Sequence, residues 1–315
     1  MAPSITPSSG APLAPDFALI GAQKAGTTSL HGYLAQVPGV FVTHHKEPHY
    51  FSGPGDGRWP AWNEPGRNDL YREFVLDPDR YEALFEGSDN MLRGEGSTLY
   101  LPDPEAAIRL TQRNPDLKAI AVLREPAARA HSSWKMWRRA GLEPLSFADA
   151  VEEEPRRKAA GAGFAKAYVE TGRYATHVER WSALLRPGNL HLVETSRLDH
   201  EPITVLNEIA AFLGVDAPDT ETIDLTRKNL GEAAPRSYRA HSLVRRSRVA
   251  TVARSALPRP VRARIGGAIR SVNTTSADPI DNDVAQAIRS SLLNETVRLE
   301  AITGWDLTSW KPERH

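Results

Sequence analysis

The chain has 315 residues, with 39 Lys and Arg balancing 39 Asp and Glu, 40% hydrophobic and 25% charged residues. These are ordinary globular proportions, which exclude a fibrous or wholly disordered chain and fit one large α/β domain or two small ones. The absence of cysteine excludes disulfides, thiolate metal sites and a cysteine nucleophile, and the zero net charge gives no reason to expect a nucleic-acid partner.

The N-terminal MAPSITPSSGAPLAPDF has neither the charged start nor the continuous apolar run of a signal peptide. No stretch approaches 18 apolar residues, so a membrane-spanning helix is not expected. Residues 1–15 are expected to form a disordered tail, residues 16–315 a single domain, and the location to be cytoplasmic. Phe17 to Ile20 is short, apolar and unalternating, as a strand buried on both faces should be. It enters a Gly-bracketed turn, then a helical pattern from Leu30 to Gln36 stopped by Pro38-Gly39. Val40 to Val42 reads as a second strand, residues 53–69 as a long surface loop, Tyr71 to Phe85 as a helix, and Arg93-Gly94-Glu95 as the opening of a strand-to-loop turn. Lys118 to Leu123 is another buried-strand run, followed by a helix with Pro126 in its first turn. Tyr174 to Leu185 predicts a helix, Leu190 to Val193 a core strand, and Ile203 to Leu213 a helix capped by Gly214. Asp281 to Ile302 predicts one amphipathic helix. This alternation predicts an α/β fold: a P-loop-like three-layer sandwich with a central, mostly parallel sheet flanked by helices.

The turn after the first strand reads Gly21-Ala22-Gln23-Lys24-Ala25-Gly26-Thr27-Thr28-Ser29. Strand, tight turn, then helix is the geometry that holds a phosphate, because the first N–H groups of the helix are unpaired and its dipole attracts an anion. Gly21 and Gly26 allow the turn, Thr27, Thr28 and Ser29 add hydroxyl donors, and Lys24 adds a mobile charge. A nucleoside-triphosphatase loop would place Lys directly after the second Gly and an Asp after a core strand to hold magnesium. Here Thr27 follows Gly26, and the strand at 118–123 runs into Arg124. A ligand with two anionic ends and no required metal fits these residues better.

The pair GAQKAGTTSL and LREPAARAHSSW resembles the two donor motifs of sulfotransferases that use 3′-phosphoadenosine 5′-phosphosulfate (PAPS), releasing 3′,5′-adenosine bisphosphate (PAP). The resemblance covers most of residues 16–310 and is closest to the heparan-sulfate-like and bacterial branch. It implies that Gln23, Lys24, Ala25, Gly26, Thr27, Thr28 and Ser29 hold the 5′-phosphosulfate, and that Arg124 and Ser132 hold the 3′-phosphate. It makes Glu47, in His45-Lys46-Glu47-Pro48-His49-Tyr50-Phe51, the general base, with His49 an accessory contact and His45 a rival base. Partial desolvation is expected to raise the pKa of Glu47 toward a useful range. Lys24 becomes the residue that stabilises charge on the leaving oxygen. Lys228, Asn229 and Arg236 are the candidates beside the adenine. One departure stands out: 3-O-sulfotransferases of glycosaminoglycans carry a Lys after the Glu of the next motif, where this chain has Gly96, so a highly anionic polysaccharide fits less well. Glu95 is read either as structural or as a substrate contact.

Residues 233–277 contain ten Arg and no Asp or Glu. They are expected to form an Arg-rich helical lid, divided by Pro258 and Pro260, whose surplus charge suits a solvated face, an acidic acceptor or peripheral contact with a membrane carrying a lipid-linked acceptor. Trp59, Trp62 and Trp137 are candidates for an acceptor pocket, with packing as the alternative at each. The implied acceptor is a small molecule, a glycan or a lipid-linked compound offering a hydroxyl or, less favoured, an amine. The rival readings are a P-loop kinase or NTPase, and a non-catalytic module that binds anionic lipid or nucleic acid through the Arg-rich segment.

Overall fold

The computed structural model describes residues 14–63, 66–226, 233–235, 274–276 and 279–313. A five-stranded, wholly parallel sheet forms the centre, in the order β2-β3-β1-β4-β5. Its strands are β1 (Phe17–Gly21), β2 (Val40–Val42), β3 (Leu92–Gly96), β4 (Lys118–Leu123) and β5 (Leu190–Glu194). β1 is buried at all positions and β4 at all but its first, as expected for inner strands covered on both faces by helices. The α/β sandwich expected from the alternation is the fold observed.

The order of the strands positions the site. From β1 the chain passes through α1 (Thr27–Leu34) to β2 at one edge, whereas from β4 it passes through α5 (Pro126–Arg139), α6 (Phe147–Ala159) and α7 (Tyr174–Leu184) to β5 at the other. The connections leave neighbouring strands in opposite directions, which opens a crevice at their carboxyl ends where ligands of such sheets bind. Both sequence motifs start there, one after β1 and one after β4. The ladder continues past the strand ends, Ala22 N–H donating to the Val122 carbonyl at 2.7 Å.

β3 corrects the sequence reading, which made Arg93-Gly94-Glu95 the opening of a turn. These residues are the interior of a strand paired with β1 on one side and β2 on the other. Two glycines in five residues look like a turn signal, but here Gly94 is small because the ring of Phe17 occupies the space over it. A Cβ at 94 would overlap that ring, and Phe17 is fully buried. Gly94→Ala is therefore expected to cost about 2–3 kcal/mol through overpacking and to lower the melting temperature by roughly 5 °C or more in calorimetry. An unchanged melting temperature would contradict this packing.

Other departures have local causes. The helix expected over 71–85 is broken: Val75 N–H donates to the Pro48 carbonyl, and a new helix, α3 (Pro78–Glu82), starts only where Asp77 caps the Arg80 N–H at 2.9 Å and Pro78 takes the first turn. The loop expected over 53–69 contains the short α2 (Arg67–Leu70). The first helix begins at Thr27, not Leu30. α4 (Pro104–Arg113) and α6, capped by Asp103 and Ser146, were not marked by the apolar pattern. β5 runs directly into α8 (Thr195–His200), and α9 (Pro202–Leu213) ends at Gly214 in the left-handed conformation, as expected. The C-terminal helix is two, α10 (Asn282–Ser291) and α11 (Leu293–Thr303), meeting at Leu292.

The main core joins the sheet to α1, α7, α8 and α9, with Trp181 fully buried. Leu70, Tyr71, Leu99 and Ala165 form a separate cluster with Trp59, Trp62, Phe74, Trp137 and Leu142 packed against it. Of the Arg-rich stretch, only β6 (Ala233–Pro235) and β7 (Thr274–Ser276), an antiparallel pair, are described. The lid expected at 233–277, with its helical pieces, and the candidates Lys228, Asn229 and Arg236 otherwise lie outside the described residues. Among the described residues no helix is long and apolar enough to cross a membrane.

Candidate active site

A cavity of about 700 Å³ opens at the carboxyl ends of β1, β3 and β4. One wall is the turn after β1 and the start of α1. Gly26 has φ +98°, the left-handed region that glycine enters without strain, and it stands at the N-cap of α1 with no side chain capping the first turn. The unpaired N–H groups of that turn are thus left for a ligand. Gln23, Lys24, Gly26, Thr27, Thr28 and Ser29 all line the cavity, whereas Ala25 is fully buried behind it.

The turn is held from behind at three points. Ser133 Oγ donates to Gln23 Oε1 at 2.7 Å, Thr195 Oγ1 lies 2.9 Å from the carbonyls of both Ala25 and Leu123, and Arg124 Nη1 donates to the Lys24 carbonyl at 3.2 Å. Tyr174 Oη in turn holds the Arg124 carbonyl at 2.9 Å. The two motifs, a hundred residues apart in sequence, thus meet side chain to backbone. Arg124 and Ser132 both line the cavity, and so do Lys135 and Met136 one turn further along α5.

The opposite wall carries Lys46, Glu47, His49 and Thr98. Glu47 Oε2 accepts from the Thr98 N–H at 2.8 Å, the Thr98 hydroxyl at 2.9 Å and His49 Nε2 at 2.8 Å, while Oε1 pairs with the Lys46 ammonium. Since a carboxylate only accepts, the imidazole carries its proton on Nε2. Burial depresses the His49 pKa more than Glu47 restores it, so the neutral ring is favoured, and it packs tilted at 34° against Phe74 with centroids 4.5 Å apart. Burial pushes the Glu47 carboxyl up, but the Lys46 charge and the His49 hydrogen bond outweigh it and hold the group below the ordinary carboxylate range. This reverses the rise expected from desolvation alone. His45 is turned elsewhere: its Nε2 lies 2.7 Å from the Glu73 carbonyl, and it does not line the cavity.

Lys24 faces the same space. Its pKa is lowered to about 8, chiefly by burial and then by the charges of Arg139, Lys46 and Arg124. Lys135 is lowered too, by burial and by Arg139 and Arg124. Lys24, Lys46, Arg124 and Lys135 line one cavity with Arg139 close by, and such like charges are mutually unfavourable until an anion enters, so the repulsion becomes attraction for a multiply charged ligand. Of the four non-glycine residues with positive φ among the described residues, three are Lys24 (+70°), Glu47 (+65°) and His49 (+49°). Backbone strain concentrates where these side chains are aimed into the cavity.

Glu95 is fully buried and does not line the cavity. Burial raises its pKa to about 7, against the hydroxyls of Ser97, Tyr81 and Tyr100, which hydrogen-bond it at 2.6, 2.8 and 3.1 Å. Ser97 Oγ also accepts the His49 N–H at 2.9 Å, so Glu95 braces the turn that carries Thr98 and His49. Trp137 borders the cavity, whereas Trp59 and Trp62 pack behind it. The sequence reading gave no role to Lys46, Thr98, Ser133, Lys135, Arg139 or Thr195. The i, i+3, i+7 spacing of Ser132, Lys135 and Arg139 on one helix was the available signal for two of them. Thr98 and Thr195 carried no signal without the fold.

Residues 14–247 match the sulfotransferase domain, and the chain belongs to that family of transferases. It is 29% identical over 212 residues to the bifunctional heparan sulfate N-deacetylase/N-sulfotransferase 3 of Homo sapiens, covering 64% of this chain and 22% of that protein. It is 27% identical over 221 residues to the corresponding enzyme 1 of Mus musculus, 67% of this chain and 23% of that protein. The chain thus spans under a quarter of the length of these relatives. The crystal structure of a sulfotransferase from Alicyclobacillus acidocaldarius superposes with a TM-score of 0.71 at 25% identity, over 95% of this chain and 99% of that one.

Proposed function

We propose that this chain transfers a sulfuryl group from PAPS to a hydroxyl acceptor by in-line displacement. The observation that carries the reading is one cavity with a strained, helix-capped cationic turn on one wall, Arg124 and Ser132 beside it, and Glu47 opposite. The donor bears roughly four negative charges, counting about two for its 3′-phosphate, and Lys24, Lys46, Arg124 and Lys135 line the space that would receive it. In the reaction an S–O bond forms to the acceptor oxygen as the S–O bond to the 5′-phosphate breaks. The electron pair leaves with PAP and the acceptor proton passes to Glu47. Lys24 and the N–H groups of the turn offset the charge that develops on the leaving oxygen. Glu47 enters as a weak base because Lys46 is paired with it. An anionic donor competes for Lys46, and release of that ammonium raises the carboxylate's proton affinity when the acceptor hydroxyl is being attacked.

The assignment of the nucleotide's two ends is tested by Arg124→Ala. The variant should bind PAP about 10- to 100-fold more weakly in titration calorimetry, as expected for a lost charge-assisted contact, and should lose clearly less affinity for adenosine 5′-phosphosulfate, which lacks the 3′-phosphate. Unchanged PAP affinity would remove Arg124 from this role.

Lys24 also predicts a pH dependence. A bound anion favours its charged form and lifts its pKa above the free value of about 8. Binding at pH 8 should therefore take up roughly half a proton, and PAP affinity should fall as pH rises above 8. Calorimetry in buffers of different ionisation enthalpy measures the uptake directly; an enthalpy independent of buffer at pH 8 would contradict it.

A further inference from the structure

The cavity is too large and too unevenly lined to serve the nucleotide alone. Its cations are grouped: Lys24, Lys46, Arg124 and Lys135 line it, with Arg139 close enough to Lys24 to depress its pKa. Beyond them the lining changes character. Leu70, Phe74, Leu99, Met136, Trp137 and Leu142 form an apolar wall. Residues 132–142 run past both regions. At 1.5 Å per residue, Ser132 and Ala140 are about 12 Å apart along α5 and the turn that ends it, and Phe74, with its ring centroid 4.5 Å from that of His49, brings the apolar wall up beside Glu47.

The charged residues that neighbour Leu70 and Phe74 in the lining carry no surplus positive charge for an anionic acceptor. They are Asp69, Glu73 and Arg72, and the Arg72 Nε is already paired with Glu73 Oε1 at 2.8 Å on the exposed rim. Lys24, Lys46, Arg124 and Lys135 are the cations beside the donor turn, and the roughly four negative charges of the donor engage them. Gly96 adds no cation, since it has no side chain. The apolar wall is rigid, because Leu70 and Leu99 are almost fully buried and Trp137 is fixed by its Nε1 hydrogen bond to the Ala165 carbonyl at 2.5 Å.

Resting on the sulfotransferase reading above, we propose that the acceptor is an uncharged hydroxyl compound with an apolar body of about two-ring size, seated against Phe74, Leu99, Met136, Trp137 and Leu142, and not a polyanionic glycan. Its hydroxyl points toward Glu47. The apolar body supplies affinity through burial, and the apolar wall leaves the charges of a sulfated or uronate-bearing chain desolvated and unpaired.

The test uses the full chain with saturating PAPS and two kinds of probe, 2-naphthol and N-desulfated heparin. 2-Naphthol should quench tryptophan fluorescence in the presence of PAP and accept radiolabelled sulfate with kcat/KM at least a hundredfold above that for the glycan. Met136→Arg places a cation on the half-buried wall. It should raise the KM for 2-naphthol at least tenfold, while Met136→Leu leaves it within threefold and both variants keep the thermal stabilisation by PAP that reports an intact donor site. Transfer to the glycan in preference to 2-naphthol, or improved turnover of 2-naphthol in Met136→Arg, overturns the proposal. So does a protein stabilised by PAP that neither binds nor sulfates 2-naphthol. A protein that PAP does not stabilise fails at the donor, and the sulfotransferase reading falls with it.

Discussion

Lys24→Ala is expected to lower kcat for sulfuryl transfer by 10²- to 10³-fold, about 3–4 kcal/mol of transition-state stabilisation. The physical reason is the placement of the ammonium. Lys24 is half-buried, on a turn whose left-handed φ of +70° aims it into the cavity, and it is surrounded by cations that already strip it of favourable company in the free protein. Charge on the leaving oxygen grows only as the S–O bond breaks, so an ammonium fixed there is worth more in the transition state than in the ground state. PAP affinity should fall by less, roughly tenfold, since Lys46, Arg124, Lys135 and the N–H groups of the α1 turn remain. Lys24→Gly is the control for the backbone: it relieves the left-handed strain and still lacks the charge. Equal losses in the two variants, in initial rates at saturating donor, assign the effect to the ammonium. A kcat within tenfold of the parent in both would remove Lys24 from the chemistry.

Glu47→Gln should cost 10²- to 10⁴-fold in kcat, the range of a positioned general base, with PAP affinity unchanged or tighter. The amide keeps the shape of the side chain and an oxygen to accept from Thr98 and His49. It cannot take a proton, and it no longer pairs with Lys46. The freed ammonium then faces the donor without competition, which is why binding should not suffer. A variant that loses PAP affinity in step with kcat would make Glu47 a binding residue instead. Turnover near the parent level with a true acceptor would pass the base role to another group. His49 is a poor substitute, because its protonated nitrogen already faces Glu47 and its Nδ1 is buried, with no hydrogen-bond partner among the described residues.

Much of this arrangement was legible in the sequence where one residue type has one use. Gly26 followed by three hydroxyl residues after a buried strand reads as a turn that can hold an anion, and the cavity has them along its wall. Arg124 at the end of a core strand marked the second motif for the same reason. The reading failed where the meaning of a residue depends on its neighbours in space. Gly94 and Gly96 looked like a turn, yet Gly94 is a strand residue shaped by the ring of Phe17. Glu47 looked like a carboxylate raised by burial, yet the ammonium of the residue beside it decides the sign. Glu95 was ambiguous, and it is a brace: three hydroxyls from two separate segments converge on it. Thr98 and Thr195 were invisible, since a single Thr has no pattern until the sheet brings it to a carboxylate or a carbonyl.

The β1 and β4 motifs are expected to grip one doubly phosphorylated nucleotide between them. The most direct measurement is the melting temperature of the purified chain with PAP and, separately, with ATP and magnesium. At a hundredfold excess over the dissociation constant, PAP should stabilise the protein by about 2.7 kcal/mol, seen as a rise of several degrees, and ATP with magnesium should produce a markedly smaller shift. No shift with PAP, or an equal shift with the triphosphate, would contradict the account.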